Sequence, residues 1–96
     1  VDDVAKAVIE SAFHFNNSDI MNIGTGVETS IAVLAHTIKT LVGYEGEIHF
    51  DATKHEGNMR RCLDVSKAKK LLGFTALTTL TDGLKTTIAW YRANLL

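Results

Sequence analysis

The tightest constraint on this chain is an apolar stripe flanked by two short extended stretches. Ile31, Leu34, Ala35, Ile38, Leu41 and Val42 recur at the spacing that gathers side chains on one helix face. Ser30 is placed to cap that helix and Gly43 to end it. Before it, Ile20-Met21-Asn22-Ile23 reads as a short strand stopped by Gly24-Thr25-Gly26. After it, Ile48 and Phe50 alternate with Glu47 and His49, the period-two pattern of a second strand. Strand, helix and strand within about thirty residues make a βαβ unit, with parallel strands and a right-handed crossover. The predicted fold class is α/β: a small parallel βαβ unit with additional helices.

The first of those helices is expected from about Asp3 to Ala12, with Asp2 or Asp3 capping its free N–H groups. Val4, Ala5, Val8 and Ala12 form one apolar stripe, but Ala7, Ile9, Phe13 and Phe15 lie off it. A helix apolar around most of its circumference expects burial on more than one side. A chain of 96 residues is one small domain at most. Such a domain buries only about 60–65% of its unfolded surface, so it can barely cover both sides. The immediate helix start at Val1, without an initiator Met, reads as part of a longer chain. Asn16 to Asp19 is a polar loop, and Asp51 to Asn58 an exposed loop without a period. Cys62 to Val65 reads as a brief extended piece. Ser66 is expected to cap a helix over Lys67–Leu72, closed by Gly73. The last helix is expected to start at Thr81 or Asp82 and to bury Leu84, Ile88, Tyr91 and Leu95 on one face.

Several classes of protein are disfavoured at once. A net charge of −1 lacks the basic footprint of a nucleic-acid binder. No apolar run approaches the roughly 18 residues of a membrane span, and no signal-peptide pattern opens the chain. One cysteine, Cys62, forbids an internal disulfide and fits a reducing, cytoplasmic setting. Proline is absent, where average usage would give about five.

The charge is unevenly placed. Between Lys54 and Lys70 stand six basic and two acidic residues, a local balance of +4 against −5 elsewhere. Arg60 and Arg61, near a glycine-containing loop, have the chemistry to grip a diphosphate bidentately, with Lys54 adding point charge. The competing reading makes both arginines structural, tied to Asp64 or to helix carbonyls. Lys67, Lys69 and Lys70 read as a solvated helix face. No aromatic residue interleaves with these charges to stack on bases. Gly24-Thr25-Gly26 sits where dinucleotide-binding loops occur, but Thr29 stands where the fingerprint needs its third glycine, so a tight structural turn is expected. His49, Asp51, His55 and Glu56 lack a zinc spacing, and no metal is expected. Cys62 reads as a structural thiol. Neither Tyr44 nor Tyr91 has a lysine four residues on, so no catalytic residue and no cofactor site is expected in this chain.

The segments VDDVAKAV, MNIGTGVETSIAVLAHTIKTLVGYEGEIHFDATKHEGNMRRCLDVSKAKKLLGF and TLTDGLKTTIAWYRANL together resemble the C-terminal part of the GDP-L-fucose synthases. These are extended short-chain dehydrogenases, of the NAD-dependent epimerase/dehydratase family. The resemblance implies that the chain is the substrate-binding subdomain of a Rossmann-type sugar-nucleotide epimerase. A missing N-terminal Rossmann domain would carry the NADP loop, the Ser-Tyr-Lys set and the epimerisation acid and base. The whole enzyme would epimerise GDP-4-keto-6-deoxymannose at C3 and C5 and reduce C4 with NADPH. Residues 1–96 would be a single small domain, in which helix 1–15 packs on the Rossmann domain and 20–96 binds substrate. The family's K-P-D-G-x-P-R loop falls on Lys54 to Arg60, so Glu56 inherits contact with the nucleotide's ribose hydroxyls, and Arg60 and Arg61 the diphosphate. His55 and Met59 replace two prolines of that loop, and Glu56 is one methylene longer than the usual Asp.

Two other functions compete with a GDP-sugar-binding part. One is a part of another NDP-sugar epimerase or dehydratase; the other is a free-standing, non-catalytic domain that binds an anion or a protein. The expected partners are a nucleotide-sugar and the Rossmann domain. In its absence, Ile9 or Phe13 is expected to lie in an exposed apolar patch, or to be covered by self-association.

Overall fold

The computed structural model describes residues 1–55, 57 and 59–96. Its helices are α1 (Asp2–His14), α2 (Ile31–Val42), α3 (Ser66–Leu72) and α4 (Leu80–Leu95). The chain divides into two compact units: Val1–Val27 with Arg61–Thr78, and Glu28–Arg60 with Thr79–Leu96.

In the first unit α1 packs against α3. Ala7 of α1 and Ala68 of α3 are 1% and 0% exposed, and their single methyl groups let the two helices approach closely. Phe74 completes this core, with Met21, Ile23, Leu72 and Ala76 packed on it. The expected caps differ. Asp3 does not cap α1; its carboxylate reaches forward and accepts the N–H groups of Leu77 and Thr78 at 3.1 and 2.9 Å. That closes a long loop, because the donors lie 74 and 75 residues away. Ser66 does not cap α3 either. It is the helix's first residue, and Asp64 accepts its N–H at 2.9 Å in a local turn.

In the second unit α2 packs against α4. The bounds and both ends of α2 match the sequence pattern: Ser30 accepts the N–H of Val33 at 3.2 Å, and Gly43 sits in the left-handed region at φ 72°. The orphaned Val42 carbonyl at its end accepts from Arg92 of α4 at 2.9 Å. Helix α4 starts earlier than expected. Thr79 accepts the N–H of Asp82 and donates its hydroxyl to the Asp82 carboxylate, an N-cap that makes Leu80 the first helical residue. Leu84 and Ile88 are half-buried, whereas Tyr91 and Leu95 are exposed rather than buried.

The βαβ unit is the main correction. No strand forms among the described residues. An extended segment becomes a strand only when a neighbouring backbone takes up its N–H and C=O groups. Residues 47–50 carry the side-chain alternation of a strand and 20–23 are mostly apolar, but no ladder partner meets them among the described residues.

Candidate functional site

The basic loop begins in the second unit. Asp51 opens it by accepting both the hydroxyl and the N–H of Thr53, which hold its carboxyl below its ordinary range. Lys54 follows on the surface, its N–H donating to the Asp51 carbonyl. Glu56, expected at the ribose hydroxyls, lies outside the described residues. At the far end of the loop, Arg60 Nε and Nη2 donate to the two carboxylate oxygens of Glu28 at 2.8 and 2.6 Å. The Arg60 guanidinium in turn holds the Glu28 carboxyl below its usual value. Among the described residues Arg60 thus pairs with Glu28, while Asp64 is engaged at the start of α3. No spacing in the sequence announces a partner 32 residues away.

Arg61, in the first unit, is exposed. It leads into 62–65, the segment that lies against the Gly-Thr-Gly turn. A Cβ added at Gly24 would stand 3.4 Å from Leu63 and 3.7 Å from Val65. Gly26 has φ 70°, and a Cβ there would stand 2.9 Å from Val65. Thr25 accepts the N–H of Val27 at 3.1 Å, and the Cys62 thiol lies 3.5 Å from the Gly26 carbonyl. The two glycines therefore face the aliphatic side chains of Leu63 and Val65. Lys67, expected to be solvated, donates to the Ile20 carbonyl at 3.0 Å and pairs with Asp19 at 3.7 Å. Among the described residues no three His, Cys, Asp or Glu side chains converge as metal ligands. No described helix is long and apolar enough to cross a membrane.

No family model matches the chain. Individual proteins do. GDP-L-fucose synthase 1 of Arabidopsis thaliana is 39% identical over 98% of this chain. GDP-L-fucose synthase of Escherichia coli is 40% identical, again over 98%. The chain is homologous to part of GDP-L-fucose synthase. It spans 29% and 32% of the length of these two relatives. The Bordetella bronchiseptica enzyme WbmF, solved with NADH, matches 98% of the chain at TM-score 0.80 and 36% identity, over 28% of its own length. A second WbmF structure holds NAD+ and UDP. Over nearly its whole length the chain is thus similar to one part of WbmF and of GDP-L-fucose synthase.

Proposed function

We propose that this chain is the nucleotide-sugar-binding part of an NADP-dependent GDP-4-keto-6-deoxymannose epimerase/reductase. The observation that carries this reading is identity of 39–40% to GDP-L-fucose synthases across nearly the whole chain. The basic loop gives it a chemical rationale. Lys54, Arg60 and Arg61 would neutralise the substrate's diphosphate, Arg by a bidentate grip and Lys as a point charge. Glu56 would accept hydrogen bonds from the ribose hydroxyls. NADP would be held by the remainder of the enzyme, because the Gly24–Gly26 turn is packed against Leu63 and Val65. Residues 20–23 and 47–50 would become strands where the Rossmann sheet supplies their partners.

The exposed face of α1 supports a covering partner. Ile9 and Phe13 are 57% and 79% exposed, as expected of a helix with a second surface to bury. The Rossmann domain is the occupant we assign, in preference to a second copy of the chain. A different nucleotide-sugar has one observation in its favour, the UDP bound in WbmF. Titrating GDP and UDP into the full-length enzyme separates the two; tighter UDP binding would overturn the GDP assignment.

The test of the site is Arg60→Ala and Arg61→Ala in the full-length enzyme. A charge-assisted hydrogen bond contributes about 1.5–3 kcal/mol, so KM for the GDP-sugar should rise about ten- to a hundredfold. Unchanged KM with a lowered melting temperature would make the arginines structural.

A further inference from the structure

We propose that Glu28 is the positioning residue for Arg60, orienting its guanidinium for an anionic ligand. This rests on the reading that Arg60 meets the substrate's diphosphate. A guanidinium carries five N–H donors in a rigid plane. Glu28 takes two of them, Nε–H and one on Nη2, with both carboxylate oxygens. A two-point grip fixes the plane of the fork as well as its position, which a single hydrogen bond cannot do.

The two partners are mounted differently. Glu28 stands two residues before Ser30, whose hydroxyl caps α2. Arg60 stands on the loop, with its side chain 82% exposed. An exposed side chain this long otherwise samples many rotamers and loses that freedom when it binds a ligand. Ion pairs between exposed groups contribute little to stability. Orientation is what this pair supplies: Glu28 holds the Nε–Nη2 edge of the fork and so sets its plane.

The experiment uses the full-length enzyme with Glu28→Ala, Glu28→Gln and Glu28→Asp, alone and combined with Arg60→Ala. Readouts are the GDP dissociation constant by calorimetry, KM and kcat with GDP-4-keto-6-deoxymannose, and the melting temperature. Losing the pre-ordering of one long side chain should weaken GDP binding and raise KM about two- to tenfold in Glu28→Ala and Glu28→Gln. Glu28→Asp should recover part of the loss, and kcat and the melting temperature should hold. In the Arg60→Ala background the Glu28 effect should disappear, the signature of one residue acting through the other. Tighter GDP binding in Glu28→Ala would mean that Glu28 competes with the ligand, and unchanged binding would mean that it does nothing for it; either overturns the proposal. Equal losses in both backgrounds, or a fall in melting temperature that tracks them, would overturn it too. If Arg60→Ala itself leaves GDP affinity unchanged, the diphosphate reading fails first and the positioning role falls with it.

Discussion

Gly26→Ala tests whether the Gly-Thr-Gly turn exists for packing. Two separate costs are expected. Gly26 has φ 70°, and an L-residue in the left-handed region costs about 1–2 kcal/mol. The added methyl would also stand 2.9 Å from Val65 Cγ2, closer than carbon atoms pack. Forcing an extra carbon into an occupied site costs about 1–3 kcal/mol. Gly43→Ala is the matched control: its φ is 72°, but nothing lies within 4 Å of the new methyl. Both substitutions remove the same flexibility from the unfolded chain, so that contribution cancels. Gly26→Ala should therefore be worse than Gly43→Ala by about 1–3 kcal/mol, out of a total of about 5–14 kcal/mol for a chain this long. Urea denaturation followed by far-ultraviolet circular dichroism reads the difference as a shift in midpoint at constant slope. Val65→Ala removes the carbon that would be struck, so a double-mutant cycle should return a favourable coupling of about 0.5–3 kcal/mol. Equal losses at Gly26 and Gly43, or no coupling to Val65, would refute the packing account.

Helix caps give a second check. Thr79→Ala should cost about 1 kcal/mol, because Thr79 accepts the Asp82 N–H, whereas Ser66→Ala should stay within about 0.5 kcal/mol; equal thermal shifts would contradict the assigned caps. Asp3 should make stability fall in acid. The N–H groups of Thr78 and then Leu77 hold its folded carboxyl below the ordinary value of 3.8. Its contribution is therefore complete above that value and is lost as pH falls through the lower, folded one. Against Asp3→Asn, the native protein should lose more stability in denaturation series taken from about pH 5 to pH 3; parallel curves would remove Asp3 from that role.

What the sequence made legible follows the range of the interactions. Helix α2 is set by Ser30, its own stripe and Gly43, all within one local segment, and its bounds match. The start of α4 lies ahead of its apolar stripe because its cap is the polar pair Thr79 and Asp82. Asp3 looks like a cap from its neighbours alone, and only the fold brings Leu77 and Thr78 to it. The same holds for Glu28 and Arg60. A βαβ pattern records what the side chains are suited to, whereas a strand also needs a partner backbone that no periodicity supplies. The basic loop was legible as charge, but not its anchoring acid.

The small core gives the all-round apolar pattern of α1 its meaning. Among the described residues only Ala7, Ala68 and Phe74 are buried, and none of them is a large aliphatic side chain. At about 100° per residue, Val4, Val8, Ile9 and Phe13 sweep roughly half of the helix circumference, with Val8, Ile9 and Phe13 about 100–160° from Ala7. They are 55%, 63%, 57% and 79% exposed. The Ala7 side is consumed by α3, which fits a methyl against a methyl. The opposite side carries branched and aromatic residues, the kind whose burial yields most. A helix that spends alanine on its internal neighbour and keeps valine, isoleucine and phenylalanine outward is patterned for a larger partner than α3. The Rossmann domain we assign to that face would thus cover α1 on one side, while Asp3 ties its first turn to Leu77 and Thr78 on the other. A partner of that kind would account for the second apolar face of α1, the one that α3 leaves exposed.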